Sequence, residues 1–366
     1  MNEKERRYDI DWIRDITVLL IIFFHSLIIF FTRESAIMFV RSGYNLDFCI
    51  GAEAILSRIM MPILFILAGF SVKYSLKNRT TKEFIVNRFK KLFLPLLIGS
   101  LTLNPIVSYM YGRSQGRDIS FIDHFIKFVT SMSEDFNGLT TGYSPMHFWF
   151  LLYLFVFSII CMPIFLKYKN KRSAKESTIL TKRGILLLAV IPYVLIFCVD
   201  ILDEMNPIGY LYLFLFGYFI LTKDEVRSAL KRDKWIYTIL AILMLSGCLF
   251  DWFVYRGYNP IIKIILIICN KGSRIVAPLA IIALCDNKVV NRKSKVLSYL
   301  NGANFPIYIY HMALLTAVGY LVLAMPFGPW VKFILINVIT YTCAFLFYEC
   351  YRFIKNRMIR ENNQFT

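Results

Sequence analysis

Charge is scarce in this chain. Only 18% of its 366 residues are Asp, Glu, Lys or Arg, where a soluble domain carries about 25%. That shortage excludes an ordinary soluble globular protein, and the remainder says why: 57% of residues are hydrophobic, 16% aromatic, and the mean hydropathy is +0.57. Paired cysteine spacing is also missing. The eight cysteines show no C-x-x-C and mostly lie inside apolar runs, which argues against a disulfide framework or a zinc site; no metal is expected. No small-residue cleavage site follows the charged residues 1–15, so the first apolar run reads as a retained helix rather than a signal peptide. There is no P-loop, no G-x-G-x-x-G, no H-E-x-x-H, no repeat period and no low-complexity tract.

What is present is a succession of apolar runs of membrane-spanning length. Ten are expected, over about 16–32, 51–72, 92–111, 147–166, 184–200, 207–222, 236–254, 260–285, 304–325 and 331–350. The fold class is therefore all-α, a polytopic membrane protein with about ten transmembrane helices. The segments between them alternate in charge. Counting 1–15 as cytoplasmic, the inner segments hold 31 Lys and Arg and the outer ones 7. That asymmetry places both the N- and C-termini of this multi-pass protein in the cytoplasm; a plasma membrane, the cytoplasmic membrane of a bacterium, is the expected location. The net charge of +18 belongs to these inner loops, so the expected contact is membrane lipid and no nucleic acid. Residues 1–350 read as one integral membrane domain and 351–366 as a short basic cytoplasmic tail. The one long outer loop, 112–146, contains "DISFIDHFIKFVTSM", with apolar residues at helical spacing that suit the membrane surface.

Several polar residues sit where lipid disfavours them. In "DWIRDITVLLIIFFHS", Arg14 and His25 are eleven residues apart, about three turns and about 16 Å along one helix face. Asp11 and Asp15 share the entry turn and are spaced to hold Arg14. Arg14 is either a positive-inside anchor or a functional cation. His25 is either a structural histidine bonded to a neighbouring helix or a group facing a cavity. His311, in "NFPIYIYHMALL", is about two turns inside the ninth span, at a depth that overlaps His25. Its neighbours Tyr308 and Tyr310 read as an interfacial aromatic belt. Lys271 and Arg274 interrupt the eighth span beside Asn270, Gly272 and Ser273. They mark either a cavity that takes an anion or a broken, re-entrant helix. Arg88, Lys90 and Lys91 cluster before the third span, where cations suit either a phosphate ligand or anionic lipid. Glu53, Arg58 and Glu349 lie near span ends, where contact with water accounts for them.

Taken in order, these segments resemble the acyltransferase-3 family of integral membrane acyltransferases over nearly the whole chain. Arg14 and His25 match its R-x10-H first helix. "MMPILFILAGFSVKYSL" resembles its second helix, with Ala68, Gly69 and Phe70. "NRFKKLFLP" is similar to its R-x-x-R-L segment, with Lys91 in place of the second arginine, so charge is kept and the bidentate fork lost. "MHFWFLLYLFVF" resembles its H-x-W-F-L helix, with His147, Trp149 and Phe150, and "NFPIYIYHMALL" its late I-Y-L-L-H segment.

The resemblance implies transfer of an acyl group, acetyl being the expected one, from cytoplasmic acyl-CoA to a hydroxyl of an envelope glycan or a lipid-linked sugar. His25 is then the base or the acyl carrier. Arg14, Arg88 and Lys91 bind the phosphates of coenzyme A, His311 orients His25 or the acceptor, and Lys271 and Arg274 contribute to the anion site. His147 takes the acceptor side or a structural role. A homodimer is one assembly open to such a chain. The rival reading is a proton-coupled secondary transporter or flippase, which also keeps ionisable groups near the midplane; the absence of an internal repeat weighs against it.

Overall fold

A computed structural model describes residues 7–31, 40–77, 79–133, 142–169, 189–197, 202 and 205–364. Among them the chain is all-helical, with one isolated bridge between Met132 and Tyr143 and no strand. The helices are α1 (Tyr8–Ile29), α2 (Asp47–Lys77), α3 (Thr81–Arg88), α4 (Leu94–Thr102), α5 (Asn104–Ser114) and α6 (Phe121–Thr130), then α7 (Trp149–Ile160), α8 (Met162–Tyr168) and α9 (Val190–Phe197). They continue as α10 (Pro207–Phe216), α11 (Asp224–Arg232), α12 (Lys234–Phe253), α13 (Pro260–Cys285), α14 (Lys295–Leu323) and α15 (Pro329–Gln364). Local chemistry sets the starts. Asn206 and Asn259 each accept two backbone N–H groups ahead of a proline in the first turn, which has no N–H to satisfy. Thr80 and Glu83 form a reciprocal capping box.

Seven helical stretches among the described residues are long and apolar enough to cross a membrane: α1, α2, the run Thr81–Ser114, α12, α13, α14 and α15 as far as Met358. The pair Met146–Ile160 and Met162–Tyr168, bent by 54°, makes an eighth if counted as one span. These coincide with eight of the ten expected positions. The sixth expected span is the shorter apolar helix Pro207–Leu221. The fifth, 184–200, lies outside the described residues except for 189–197. Helix ends run past the hydropathy boundaries. α1 begins at Tyr8 rather than 16 and α14 at Lys295 rather than 304, because capped and ion-paired polar turns extend a helix beyond its apolar part.

The helices gather into two compact units. The first comprises Met1–Thr17, Gly51–Phe93 and Phe150–Lys293. Its tightest packing is a reciprocal crossing of α2 with α10 and the π turn Gly217–Leu221 that continues it. A Cβ on Gly69 would fall 1.8 Å from the Phe214 carbonyl oxygen, and one on Gly217 would fall 1.9 Å from that of Ile66. Only glycine fits at both points, which gives the Ala68-Gly69-Phe70 segment a physical reason. At one end of this unit Arg7 pairs with the fully buried Asp9 at 2.5 Å and with Asp286 at 3.0 Å, and Asp286 also faces Lys231 at 3.6 Å. Large aliphatic side chains point outward from α12 and α13, among them Ile239, Leu243, Ile261, Ile264 and Ile265, as a lipid environment favours.

The second unit comprises Val18–Ile50, Leu94–Trp149 and Ser294–Thr366. α14 packs on both α15 and α5, around a core of Val107, Phe128, Met146 and Met312. Ser26 bonds Asn337 at 3.0 Å and Tyr341 donates to the Leu19 carbonyl at 2.7 Å, fixing α1 to α15. The outer-loop segment does form a helix, α6. Phe121, Ile122, Phe125, Ile126 and Val129 are exposed along it, while His124 and Phe128 are buried, the division expected of a helix lying in a membrane interface.

Candidate active site

Three histidines meet inside the second unit. His25 lies on the last turn but one of α1, His311 lies in the middle of α14, and His147 occupies a short 3-10 turn, Met146–Phe148, just before α7. The His25 and His311 rings stack with centroids 5.4 Å apart and planes 23° from parallel. The His147 ring stands edge-on to His311 at 5.2 Å. His311 is completely buried and His147 nearly so; His25 is partly exposed.

One hydrogen bond orients the cluster. His311 Nδ1 lies 2.7 Å from the Tyr308 carbonyl oxygen, one turn earlier on the same helix. A carbonyl oxygen can only accept, so Nδ1 carries the proton and Nε2 keeps its lone pair. That Nε2 is buried and has no hydrogen-bond partner. The same holds for Nδ1 of His25 and for both ring nitrogens of His147; near one of the latter the Ile309 carbonyl stands short of hydrogen-bond geometry. Each buried polar group left this way costs about 1–3 kcal/mol. A fold tolerates several together where they serve a polar ligand.

The turn that carries His147 is held from all sides. Met146 adopts φ 45° although it is not glycine, a left-handed conformation that costs about 1–3 kcal/mol. Its N–H donates to Ser144 Oγ at 3.2 Å, and Asn104 Nδ2 donates to the Ser144 carbonyl at 2.9 Å. Tyr308 donates its hydroxyl to the His147 carbonyl at 2.9 Å. The fully buried Phe148 ring lies against Gly99, where a Cβ would fall 2.4 Å from the ring tip.

Asn304 extends the polar row. It is seven residues before His311 on α14, two turns and about 10 Å along the same face. Its side chain is buried with neither amide atom partnered. The fourth histidine, His124, bonds Ser108 at 2.8 Å, and burial lowers its pKa from the usual imidazole range. It stands in α6 and takes no part in the cluster.

The cations expected at the site all belong to the first unit. Arg14 is held by Asp11 at 3.0 Å and Asp15 at 3.3 Å, by the spacings of three and one that the sequence suggests. Arg88 closes α3 with its guanidinium 4.7 Å from the Phe84 ring centroid and its Nε buried without a hydrogen bond. Lys90 and Lys91 are exposed on the π turn Phe89–Phe93 that follows; single π turns interrupt helices most often at functional positions. Lys271 and Arg274 lie on α13, which runs unbroken from Pro260 to Cys285, so the re-entrant reading of this segment is corrected. Arg274 is completely buried and Lys271 partly so. Arg58 also proves buried, in α2, which corrects its assignment to a water-exposed span end. Glu349 fits that assignment better, partly exposed and paired with Arg352 at 3.1 Å.

The family model described as an acyltransferase domain matches residues 7–349. The chain belongs to the acyltransferase-3 family. Comparisons with curated proteins and with solved structures return no match. With its apolar helices, this acyltransferase-3 protein is a membrane acyltransferase, and no group of His, Cys, Asp and Glu that could hold a metal occurs among the described residues.

In this acyltransferase the structure brings together His25 and His311 as their overlapping depths suggest, places His147, expected on the acceptor side or in a structural role, beside them, and adds Asn304, which sequence reasoning does not single out. His147 reads as a residue at an outer helix edge until α14 is seen beside it. Asn304 is visible only as one polar residue in an apolar run. The interfacial belt expected of Tyr308 and Tyr310 is corrected: Tyr308 is buried against the His147 turn and Tyr310 donates to the Ala344 carbonyl at 2.8 Å.

Proposed function

We propose that the protein moves an acyl group, acetyl in the first instance, from acyl-CoA on the cytoplasmic side to a hydroxyl of an envelope glycan or lipid-linked sugar, with His25 and His311 at the reacting centre. The observation that carries this reading is the stacked pair of imidazoles, the partly exposed His25 on the buried His311, the latter keeping a lone pair on Nε2 through its bond to the Tyr308 carbonyl. Acyl transfer needs such a nitrogen. In direct transfer the hydroxyl oxygen attacks the thioester carbon while imidazole takes the hydroxyl proton; the C–S bond breaks and the thiolate recovers that proton as coenzyme A. In the two-step route an imidazole nitrogen attacks first and carries the acyl group, and the hydroxyl displaces it. Both use a neutral imidazole next to a second ring that can share the charge.

Arg88, Lys91, Arg14, Lys271 and Arg274 are assigned to the phosphates of the donor, a trianionic or more highly charged group that suits several cations. The positive-inside asymmetry of the loops supports cytoplasmic termini and therefore a cytoplasmic donor.

The test uses purified protein in nanodiscs with radiolabelled acetyl-CoA and succinyl-CoA. Coenzyme A release or label retained by the wild type, and lost in His25→Ala at equal abundance, is the expected result and names the donor. No binding and no turnover by folded protein would overturn the reading and favour transport.

A further inference from the structure

We infer that His147 is the residue that receives the acceptor: it takes the proton of the attacking hydroxyl, while His25 works on the donor side of His311. The inference rests on the acyl-transfer reading above and divides its site into two halves.

Four observations lead to it. His147 is nine-tenths buried, yet neither ring nitrogen makes a hydrogen bond of full geometry, the Ile309 backbone being the one group near them. Its ring stands edge-on to His311 at 5.2 Å, while the His25 ring stacks on His311 at 5.4 Å, so His311 contacts one histidine from α1 and one from the turn before α7. The 5.2 Å between the His147 and His311 centroids is within the span that two hydrogen bonds of about 2.8 Å to one hydroxyl oxygen can bridge. Finally, the backbone that presents His147 is strained at Met146 and fixed by the Tyr308 hydroxyl and by Phe148 on Gly99. A purely structural histidine needs no such turn, and would bond the neighbour that fixes it.

In the resulting step the acceptor O–H proton passes to a His147 nitrogen as oxygen bonds the acyl carbon. The bond from that carbon to sulfur, or to a carrier imidazole, breaks, and the departing group takes up the proton. Atoms and charge balance with no further reactant.

The experiment compares wild type, His147→Gln and His25→Ala in membranes of the producing cells, which contain the native acceptor, supplied with radiolabelled acetyl-CoA or succinyl-CoA. Three quantities are read: base-labile label on non-protein material, coenzyme A released, and acyl hydroxamate formed, above the protein-free rate, when hydroxylamine is added. Hydroxylamine is a nucleophile that needs no base at neutral pH, so it replaces the function assigned to His147. His147→Gln is expected to lose about 100-fold in label transfer, the usual contribution of one general base, while hydroxamate forms at near the wild-type rate. His25→Ala is expected to lose both. Transfer by His147→Gln at the wild-type rate would overturn the assignment, and so would equal loss of transfer and hydroxamate at normal protein abundance, which would make His147 part of the donor half or of the fold. A wild type that neither transfers label nor releases coenzyme A would instead fail the acyl-transfer reading itself.

Discussion

Replacing Gly99 by alanine should separate folding from catalysis more cleanly than touching a histidine. A Cβ at this position would sit 2.4 Å from the tip of the Phe148 ring, where ordinary contact begins at 3.4 Å, so the ring must retreat by 1.0 Å. It cannot do so alone. Phe148 is completely buried, and the adjacent His147 carbonyl is bound by the Tyr308 hydroxyl. The displacement is therefore transmitted to His147 and its spacing from His311. Overpacking of this kind costs about 1–3 kcal/mol of stability. A misplacement of about 1 Å at a reacting group costs about 100-fold in rate. The assay is acyl transfer in membranes, normalised to protein abundance and accompanied by a thermal melt of the purified protein.

Gly302→Ala is the control. There the added Cβ meets the Tyr348 hydroxyl at 2.5 Å and the next ring atom only at 3.6 Å, so the end of one side chain can swing aside and transfer should stay near wild type. Adding Phe148→Leu to Gly99→Ala restores room and should recover part of the lost rate, a coupling that independent sites would not show. Gly99→Ala with full activity at normal abundance would refute the claim that this turn sets the position of His147.

Three further outcomes are expected. Gly69→Ala, whose Cβ would overlap the Phe214 carbonyl backbone, should leave little folded protein by size-exclusion chromatography, since two helix backbones rather than one side chain must move. Asn304→Leu keeps the volume while removing two unpartnered buried polar atoms, so the melting temperature should hold or rise; transfer should nevertheless fall about 10-fold if the amide binds substrate, the worth of one neutral hydrogen bond. Arg88→Ala should raise the acyl-CoA concentration needed for half-maximal rate by about 10-fold to 100-fold, as loss of a charged hydrogen bond implies, and a defect confined to the acceptor would count against phosphate binding.

Much of the fold is legible in the sequence because lipid imposes a simple demand: about 20 apolar residues with every backbone group satisfied within the helix. The long spans follow from that alone. Their ends do not, because Asp11, Arg14 and Asp15 look like a loop to hydropathy but pair with one another inside α1. The bend between α7 and α8 is equally hidden, since it depends on packing rather than composition.

The site divides in the same way. His25 and His311 stand out because an ionisable group deep in an apolar run demands a partner. His147, lying near the edge of its run, is marked only by the H-x-W-F-L resemblance and left between the acceptor side and a structural role, and Tyr308 is not marked for the site at all, its aromatic ring being equally at home in an interface. Their roles come from α14 lying beside the Met146–Phe148 turn, a contact between segments about 160 residues apart, which no local pattern encodes. Arg58 shows the converse error: a cation near a helix end is normally wetted, and here it is buried.

The central claim is that His25 and His311 act as one unit in acyl transfer. Its most direct test is single-turnover release of coenzyme A from radiolabelled acyl-CoA by wild type, His25→Ala, His311→Ala and the double variant, all at equal folded abundance. Groups that act together lose nearly the same rate singly and jointly, so each single variant should fall by about 100-fold or more and the double variant no further. Losses that multiply, or a single variant that keeps the wild-type rate, would contradict it.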